Sequence, residues 1–270
     1  MTAERHLEDQ AGGTYGSAEA AMGWRRSSAA RAQLLAPLTE RMLDLAQVGV
    51  GHRVLDVAAG TGEQTLAAAR RVGPTGAVIA TDIAAQMLAL AAEAAAQAGL
   101  RNVETRVVDA RDLDLEPESF DAAISRLALM LIPERARALE GIHRALKPGK
   151  KFAALVLATA DESRLAPQAP FDDPGLFALG DPAVLAAAYW DAGFSQVAVE
   201  AAPLQRRLPS LAVAVQTVRD MLPEVDKLLT HATAAERAAA WAEIEGALRQ
   251  FKSADEIVTP QTFLIGVGTK

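Results

Sequence analysis

Between residues 53 and 157 the apolar positions fall into short, β-branched runs separated by longer stretches with helical spacing. Arg53 to Val57, Ala77 to Ala80, Val103 to Val108, Phe120 to Ser125 and Lys151 to Leu157 are the runs, each suited to a buried strand. Gln64 to Arg71 and Ala84 to Ala98 predict helices, stopped at Gly73-Pro74 and at Gly99. Pro133 to Leu146 predicts another, with Pro in a tolerated first-turn position and an end at Lys147-Pro148-Gly149. Farther on, Pro182 to Ala192 reads as a helix capped by Asp181 and closed by Gly193, followed by strands at Phe194 to Glu200 and Thr262 to Val267. Strands alternating with helices imply right-handed βαβ crossovers. The expected fold is therefore α/β, doubly wound and Rossmann-like: a mostly parallel, seven-stranded sheet with helices on both faces.

Two regions stand outside the alternation. Residues 1–45 read as one or two helices ahead of the first strand, and 208–252 as a helical insert before the last. Both are expected as lid segments over the ligand edge of a single domain whose core is 46–207 plus 253–270. In the insert, Val213, Val215, Val218, Met221 and Leu222 make a helical stripe, ordinarily core, or a substrate wall if it faces the cleft. Trp24, with Arg25 and Arg26, reads either as a lid contact or as an aromatic packed on the sheet.

The chain has 270 residues, half of them hydrophobic and 23% charged, enough to bury a full core. With 27 basic and 34 acidic side chains the formal charge is −7, the wrong sign for a phosphate-binding surface, so a nucleic-acid substrate is disfavoured. There is no cysteine, which excludes disulfides, thiolate metal sites and a thiol nucleophile. Met1 to Gln10 lacks the apolar stretch of a secretory signal, and the longest apolar runs, such as Phe152 to Ala158, are far too short to span a bilayer. A cytoplasmic protein without stable membrane insertion is expected; a homodimer is compatible with this reading.

The segment Val54-Leu55-Asp56-Val57-Ala58-Ala59-Gly60-Thr61-Gly62 passes from a buried strand straight into a helix. In open α/β sheets such a turn lies at the ligand edge, where glycines let the backbone approach a bound molecule. Asp82 ends the second strand, 20 residues after Gly62, where a carboxylate can accept hydrogen bonds from the ribose of an adenosine. Either NAD or S-adenosylmethionine (SAM) meets that description. A dinucleotide loop wants a third glycine where this chain has Thr65. Asp56 and Glu63 also place negative charge where a pyrophosphate would sit, favouring the amino group and sulfonium of SAM.

Taken together, VLDVAAGTG, ATDIAAQML, VVDARDL, FDAAISRLALMLIP and ALKPGK, over most of residues 50–158, resemble the class I SAM-dependent methyltransferases, in particular the ubiquinone and menaquinone biosynthesis group. The resemblance implies SAM as cofactor, with Asp56, Ala58, Gly60, Thr61 and Gly62 around the methionine moiety and Asp82 on the ribose. It also implies Ile83 and Met87 flanking the adenine, Asp109 and Ala110 at its edge, and Ser125 with Arg126 on the floor near the sulfonium. Ala58 departs from the family's usual glycine, and Lys150 stands where a second glycine often follows the LKPG segment.

Each of these residues also has a plainer reading. Asp109 can simply cap the following helix, Met87 can be core, and Arg126 can pair with a carboxylate. Of the four histidines, His143 lies in the last turn of a helix, where a cation suits the dipole; His52 and His231 read as solvated, and His6 as a lid candidate. No HExxH or other ligand spacing occurs, so no metal is expected. Methyl transfer needs alignment and water exclusion more than a triad, and no catalytic base is identified. The chain lacks the Asn/Asp-Pro-Pro-aromatic turn of many base methyltransferases, which points to a small, partly apolar acceptor. Rival readings are a SAM-binding protein of this fold that catalyses a cyclisation or other rearrangement, an NAD-dependent dehydrogenase, and a binding protein with a vestigial pocket.

Overall fold

The computed structural model describes residues 18–159, 175–221, 229 and 232–270. In chain order its elements are α1 (Ala18–Leu45), β1 (Arg53–Val57), α2 (Glu63–Val72), β2 (Ala77–Asp82), α3 (Ala85–Gln97), β3 (Val103–Val107), β4 (Phe120–Arg126), α4 (Arg135–Ala145), β5 (Leu146–Leu157), α5 (Pro182–Asp191), β6 (Ser195–Leu208), α6 (Leu211–Met221), α7 (Ala234–Arg249), β7 (Lys252–Ser253) and β8 (Glu256–Thr269). Short 3-10 turns at Ala110–Asp112 and Leu129–Leu131 follow β3 and β4.

The sheet runs β3-β2-β1-β4-β5-β8-β6, the seven strands expected, with the two-residue β7 added as an eighth against β8. Strands β1 to β5 pair in parallel, while β8 is antiparallel to both β5 and β6. Strand order reverses between β1 and β4, so their carboxyl ends form the switch point at which open sheets bind ligands.

Successive residues of each strand serve opposite faces. Leu55, Val57, Ile79 and Phe152 pack against α4 and α5 through Leu139, Ile142, Leu185 and Tyr189. Val54, Val78, Ile124 and Leu155 pack against α1 and α2 through Leu35, Leu38, Met42 and Val72. Burial on both sides explains why the strands read as continuous apolar runs. Asp181 caps α5 as expected, accepting the Ala183 and Val184 N–H groups at 2.7 and 3.2 Å.

Several boundaries differ from the sequence reading. Among the described residues of the leading region, 18–45 form one helix that continues through Pro37, and its second half packs into the core on one sheet face. Helix α4 starts at Arg135, not Pro133, because Glu134 adopts a left-handed conformation (φ 49°) that no helix can include. Lys147-Pro148-Gly149 lies within β5, where the Gly149 N–H donates to the Lys270 carbonyl. Strands β6 and β8 are each 14 residues long. Their paired stretches 204–208 and 257–261 continue past the end of β5 and stand above the ligand edge.

Helices α6 and α7 occupy the expected insert. Val215 and Val218 pack with Ala214, Leu248 and Ile257, so this part of the stripe is the insert's own core, while Val213 is exposed. The Met221 side chain and Leu222 lie outside the described residues, as do His6 and His231. The first half of α1 is tied to two neighbours, through Arg25 to Glu93 on α3 and Arg26 to Asp220 on α6, each at 3.3 Å.

Candidate functional site

The glycine loop takes its shape from three residues in left-handed conformation, Ala58 (φ 54°), Gly60 (φ 58°) and Gly62 (φ 87°). A Cβ on Gly62 would stand 2.7 Å from the Ala91 Cβ, so glycine there lets α3 approach the start of α2. A Cβ on Gly60 would meet nothing within 4 Å; this is open backbone at the ligand edge. Ala58, the departure from the family pattern, pays about 1 kcal/mol for its conformation.

Asp82 closes the loop from the side. Its carboxylate accepts the Gly60 N–H and the Ala84 N–H, both at 2.9 Å. Burial pushes its carboxyl up, and the N–H groups of Ala84, Gly60 and Ile83 offset this only in part. Asp56 is fully buried behind the loop, where its carboxylate accepts from the Thr65 hydroxyl at 2.5 Å and the Gln64 amide at 3.1 Å. Burial lifts its pKa to about 7, against the pull of Thr65, Gln64 and Arg126. Thr65 replaces the third glycine of a dinucleotide loop with a side chain that holds Asp56.

The main surprise is at Glu63. Its carboxylate binds two buried guanidiniums at once, Arg31 from α1 through Oε1 and Arg126 from the end of β4 through Oε2 at 2.8 Å. Arg31 also donates to the Thr61 hydroxyl at 3.0 Å and the Ser27 hydroxyl at 2.8 Å, and Arg126 donates to the Thr39 hydroxyl at 3.1 Å. Burial pushes the Glu63 carboxyl up, but Arg31, Arg126 and the Thr61 hydroxyl outweigh it and hold the group below the ordinary glutamate range. The Glu63 carboxylate is thus not a free charge at the loop, since two guanidiniums flank it. What weighs against a dinucleotide is Thr65 in place of glycine, with Asp56 and Asp82 behind and beside the loop.

Past the end of β2, Ile83 is half-buried, and Met87 is buried with Ala84 against Trp24 and Leu90. Trp24 is thus packed on the α3 surface beside the Asp82 turn. Asp109 caps the following 3-10 turn by accepting the Arg111 N–H at 2.9 Å, and both its oxygens also receive the Arg111 guanidinium. Ala110 is half-buried next to it. Ser125 is completely buried at the end of β4, and its hydroxyl has no hydrogen-bond partner.

The candidates from Asp56 to Gly62, with Asp82, Ser125 and Arg126, therefore gather at the ends of β1, β2 and β4, with Met87 and Asp109 flanking them. Arg126 resolves to a carboxylate partner. His143 lies edge-on against Phe194 at 5.0 Å, and burial and Lys270 lower its pKa, so the neutral ring is favoured rather than a helix-end cation. The sequence reading missed Arg31. Its signal is legible afterwards: it precedes Leu35, Leu38 and Met42 by four, seven and eleven positions, a lone charge on an apolar stripe. Among the described residues no group of His, Asp or Glu could hold a metal ion.

Residues 49–168 match the family described as a methyltransferase domain. Over 114 residues, 42% of the chain, it is 37% identical to the ubiquinone/menaquinone biosynthesis C-methyltransferase UbiE of Methylococcus capsulatus, covering 46% of that protein. It is 31% identical over 121 residues, 45% of the chain, to the aklanonic acid methyltransferase DauC of Streptomyces sp. (strain C5), covering 55%. The chain thus spans about half the length of these relatives. Among solved structures it resembles the [4+2]-cyclase SpnF, with a TM-score of 0.56 at 22% identity over 86% of this chain and 80% of the other. Residues 49–168 are thus similar to a methyltransferase domain, and over that region the chain resembles the ubiquinone/menaquinone methyltransferases.

Proposed function

We propose that this protein transfers the methyl group of SAM to a small, partly apolar acceptor. One observation carries the reading. The Asp82 carboxylate is tied to the Gly60 amide at the switch point, so a ribose acceptor and the open glycine backbone form one preset cradle. The residues present fit the cofactor: Gly60 leaves the backbone bare, and the unpartnered Ser125 hydroxyl is a polar atom in need of a neighbour. Bound SAM would supply an already activated methyl group.

In this assignment Asp82 accepts the ribose hydroxyls, and Asp56, Ala58, Gly60, Thr61 and Gly62 surround the methionine moiety. Ile83 and Met87 flank the adenine, with Asp109 and Ala110 at its edge, where Arg111 competes for the Asp109 oxygens. Ser125 and Arg126 form the floor, Arg126 fixed in place by Glu63 and Thr39. Helix α1 and the α6–α7 insert act as lids that exclude water and align the acceptor. Relatives named for quinone biosynthesis and aklanonic acid methylation support a small-molecule acceptor, and the charge of −7 speaks against nucleic acid. No described helix is long and apolar enough to cross a membrane, in keeping with a cytoplasmic site of action.

Calorimetric titration with SAM, S-adenosylhomocysteine and NAD tests the cofactor. Micromolar binding of the first two, none of NAD, and weaker binding by Asp82→Ala are expected; binding of NAD alone, or of none, refutes the assignment. Because this fold also houses a [4+2]-cyclase, product mass decides between the two chemistries. A gain of one methyl supports transfer, and an isomer of unchanged mass supports rearrangement.

A further inference from the structure

Strands β6 and β8 run on together past the end of β5, and their side chains alternate between two faces. Pro203, Gln205 and Arg207 are exposed, whereas Leu204, Arg206 and Leu208 turn inward, paired with Gln261, Thr259 and Ile257. Leu208 and Ile257 join the core of the insert, and Leu204 packs against the core beneath α1. The inner face of this arm therefore bridges two apolar clusters with a polar island between them. At the centre of the island the half-buried Arg206 donates from Nη2 to the Gln261 Oε1 at 3.0 Å, across from the buried Thr259. The arm's own residues around it, Leu204, Leu208, Ile257, Thr259 and Gln261, are all neutral, and burial pulls its pKa down. An anion brought beside such a group offsets the cost of its burial. Gln261 accepts from Arg206 through Oε1 and so keeps its Nε2 as a further donor.

A second, independent observation comes from the sheet edge below. Leu34 on α1, Leu127 after β4, Leu157 at the end of β5 and Leu204 on the arm are half-buried, and all four pack against one core cluster. Leu127 also packs against the cluster on the other sheet face, so it stands at the rim of the sheet. Its φ of 58° is strained for a leucine, and strain of this kind collects at ligand sites. Four leucines from four elements thus form an apolar floor, and the arm adds a planar cation to the wall above it.

We propose that the inner face of the β6–β8 arm anchors the methyl acceptor, and that the acceptor is an apolar carboxylic acid. Arg206, with Gln261 beside it, is the specificity-determining residue: its planar fork reads the carboxylate, while the hydrocarbon part lies on the leucine floor. The inference rests on the methyl-transfer reading above and deepens it by naming the acceptor's class. The arm lies beyond β5, on the far side of the sheet from the ends of β1 and β2, so acceptor anchoring and cofactor binding are separable.

The test is calorimetry on the intact protein with S-adenosylhomocysteine present, using benzoate, naphthoate and anthracene carboxylate as probes, each against its primary amide. The wild type should prefer at least one acid over its amide by about thirty-fold, the worth of a charge-assisted pair. Arg206→Met, which keeps the apolar stem, should lose that factor for the acid and bind the amide unchanged. Arg206→Lys keeps the charge without the fork and should retain part of the preference, and Gln261→Leu should lower it several-fold. No preference for any acid in the wild type, a preference undiminished in Arg206→Met, or equal losses of acid and amide would overturn the proposal. Parallel titration with SAM keeps the two readings apart: SAM binding without an acid preference refutes the arm site alone, whereas failure to bind SAM refutes the cofactor assignment.

Discussion

Asp56→Asn offers a direct check on the buried electrostatics behind the loop. Burial raises the Asp56 pKa from 3.8 to about 7 in the folded protein. At ~1.4 kcal/mol per unit, ionising it costs the native state about 4 kcal/mol relative to the unfolded chain. The folded pKa lies above the unfolded one, so the group's contribution to stability is full below about pH 4. It is lost as pH climbs toward 7 and is level beyond that. Asparagine keeps the shape and can still bond Thr65 and Gln64, but it cannot ionise. Urea unfolding of both proteins at pH 5, 6, 7 and 8 isolates the term, since every other carboxylate titrates alike in the two. The stability of the wild type relative to Asp56→Asn should fall by roughly 3 kcal/mol over that range, most of it below pH 7. Parallel stability curves would show that Asp56 stays ionised in its buried site and would refute the reasoning.

Three further outcomes follow from the site and the fold. Asp82→Ala should weaken SAM about thirty-fold or more by removing the proposed ribose acceptor and the anchor of the Gly60 N–H, measured by calorimetry. Gly62→Ala should cost about 2–4 kcal/mol in chemical denaturation, from its φ of 87° and the clash with Ala91, whereas Gly60→Ala should cost only about 1 kcal/mol but depress cofactor affinity strongly. Thr233→Ala, which breaks the capping box with Glu236 at the start of α7, should lower stability by about 1 kcal/mol and leave cofactor affinity unchanged.

What was legible in the sequence is what repeats locally. β1, with Val54 turned to one sheet face and Leu55 to the other, is a continuous apolar run because both faces are buried, and the glycine loop announces itself by its position after that run. The extents of β6 and β8 were not legible. Past Glu200 the strand mixes Pro203, Gln205, Arg206 and Arg207, residues without β-pattern, and only pairing with the equally mixed stretch before Thr262 makes it a strand. The Arg31–Glu63–Arg126 cluster joins positions 32 and 63 residues apart, a separation at which no spacing rule operates. Asp109 shows the same limit from the other side: its place at a strand end was readable, but its engagement by Arg111 depends on side-chain geometry.

β8 lies between β5 and β6 although every other strand precedes it in sequence. During synthesis β6 therefore emerges with no sheet partner, and β5 exposes an open edge until β8 threads between them. The nascent chain must carry an unprotected, strongly apolar border, Phe152 to Leu157, until the last strand emerges, which invites self-association and chaperone attention. Closure is a single late event of high contact order that joins β6 to the sheet and raises the β6–β8 arm at once. Deleting 256–270 should thus yield not a smaller folded domain but an aggregating fragment.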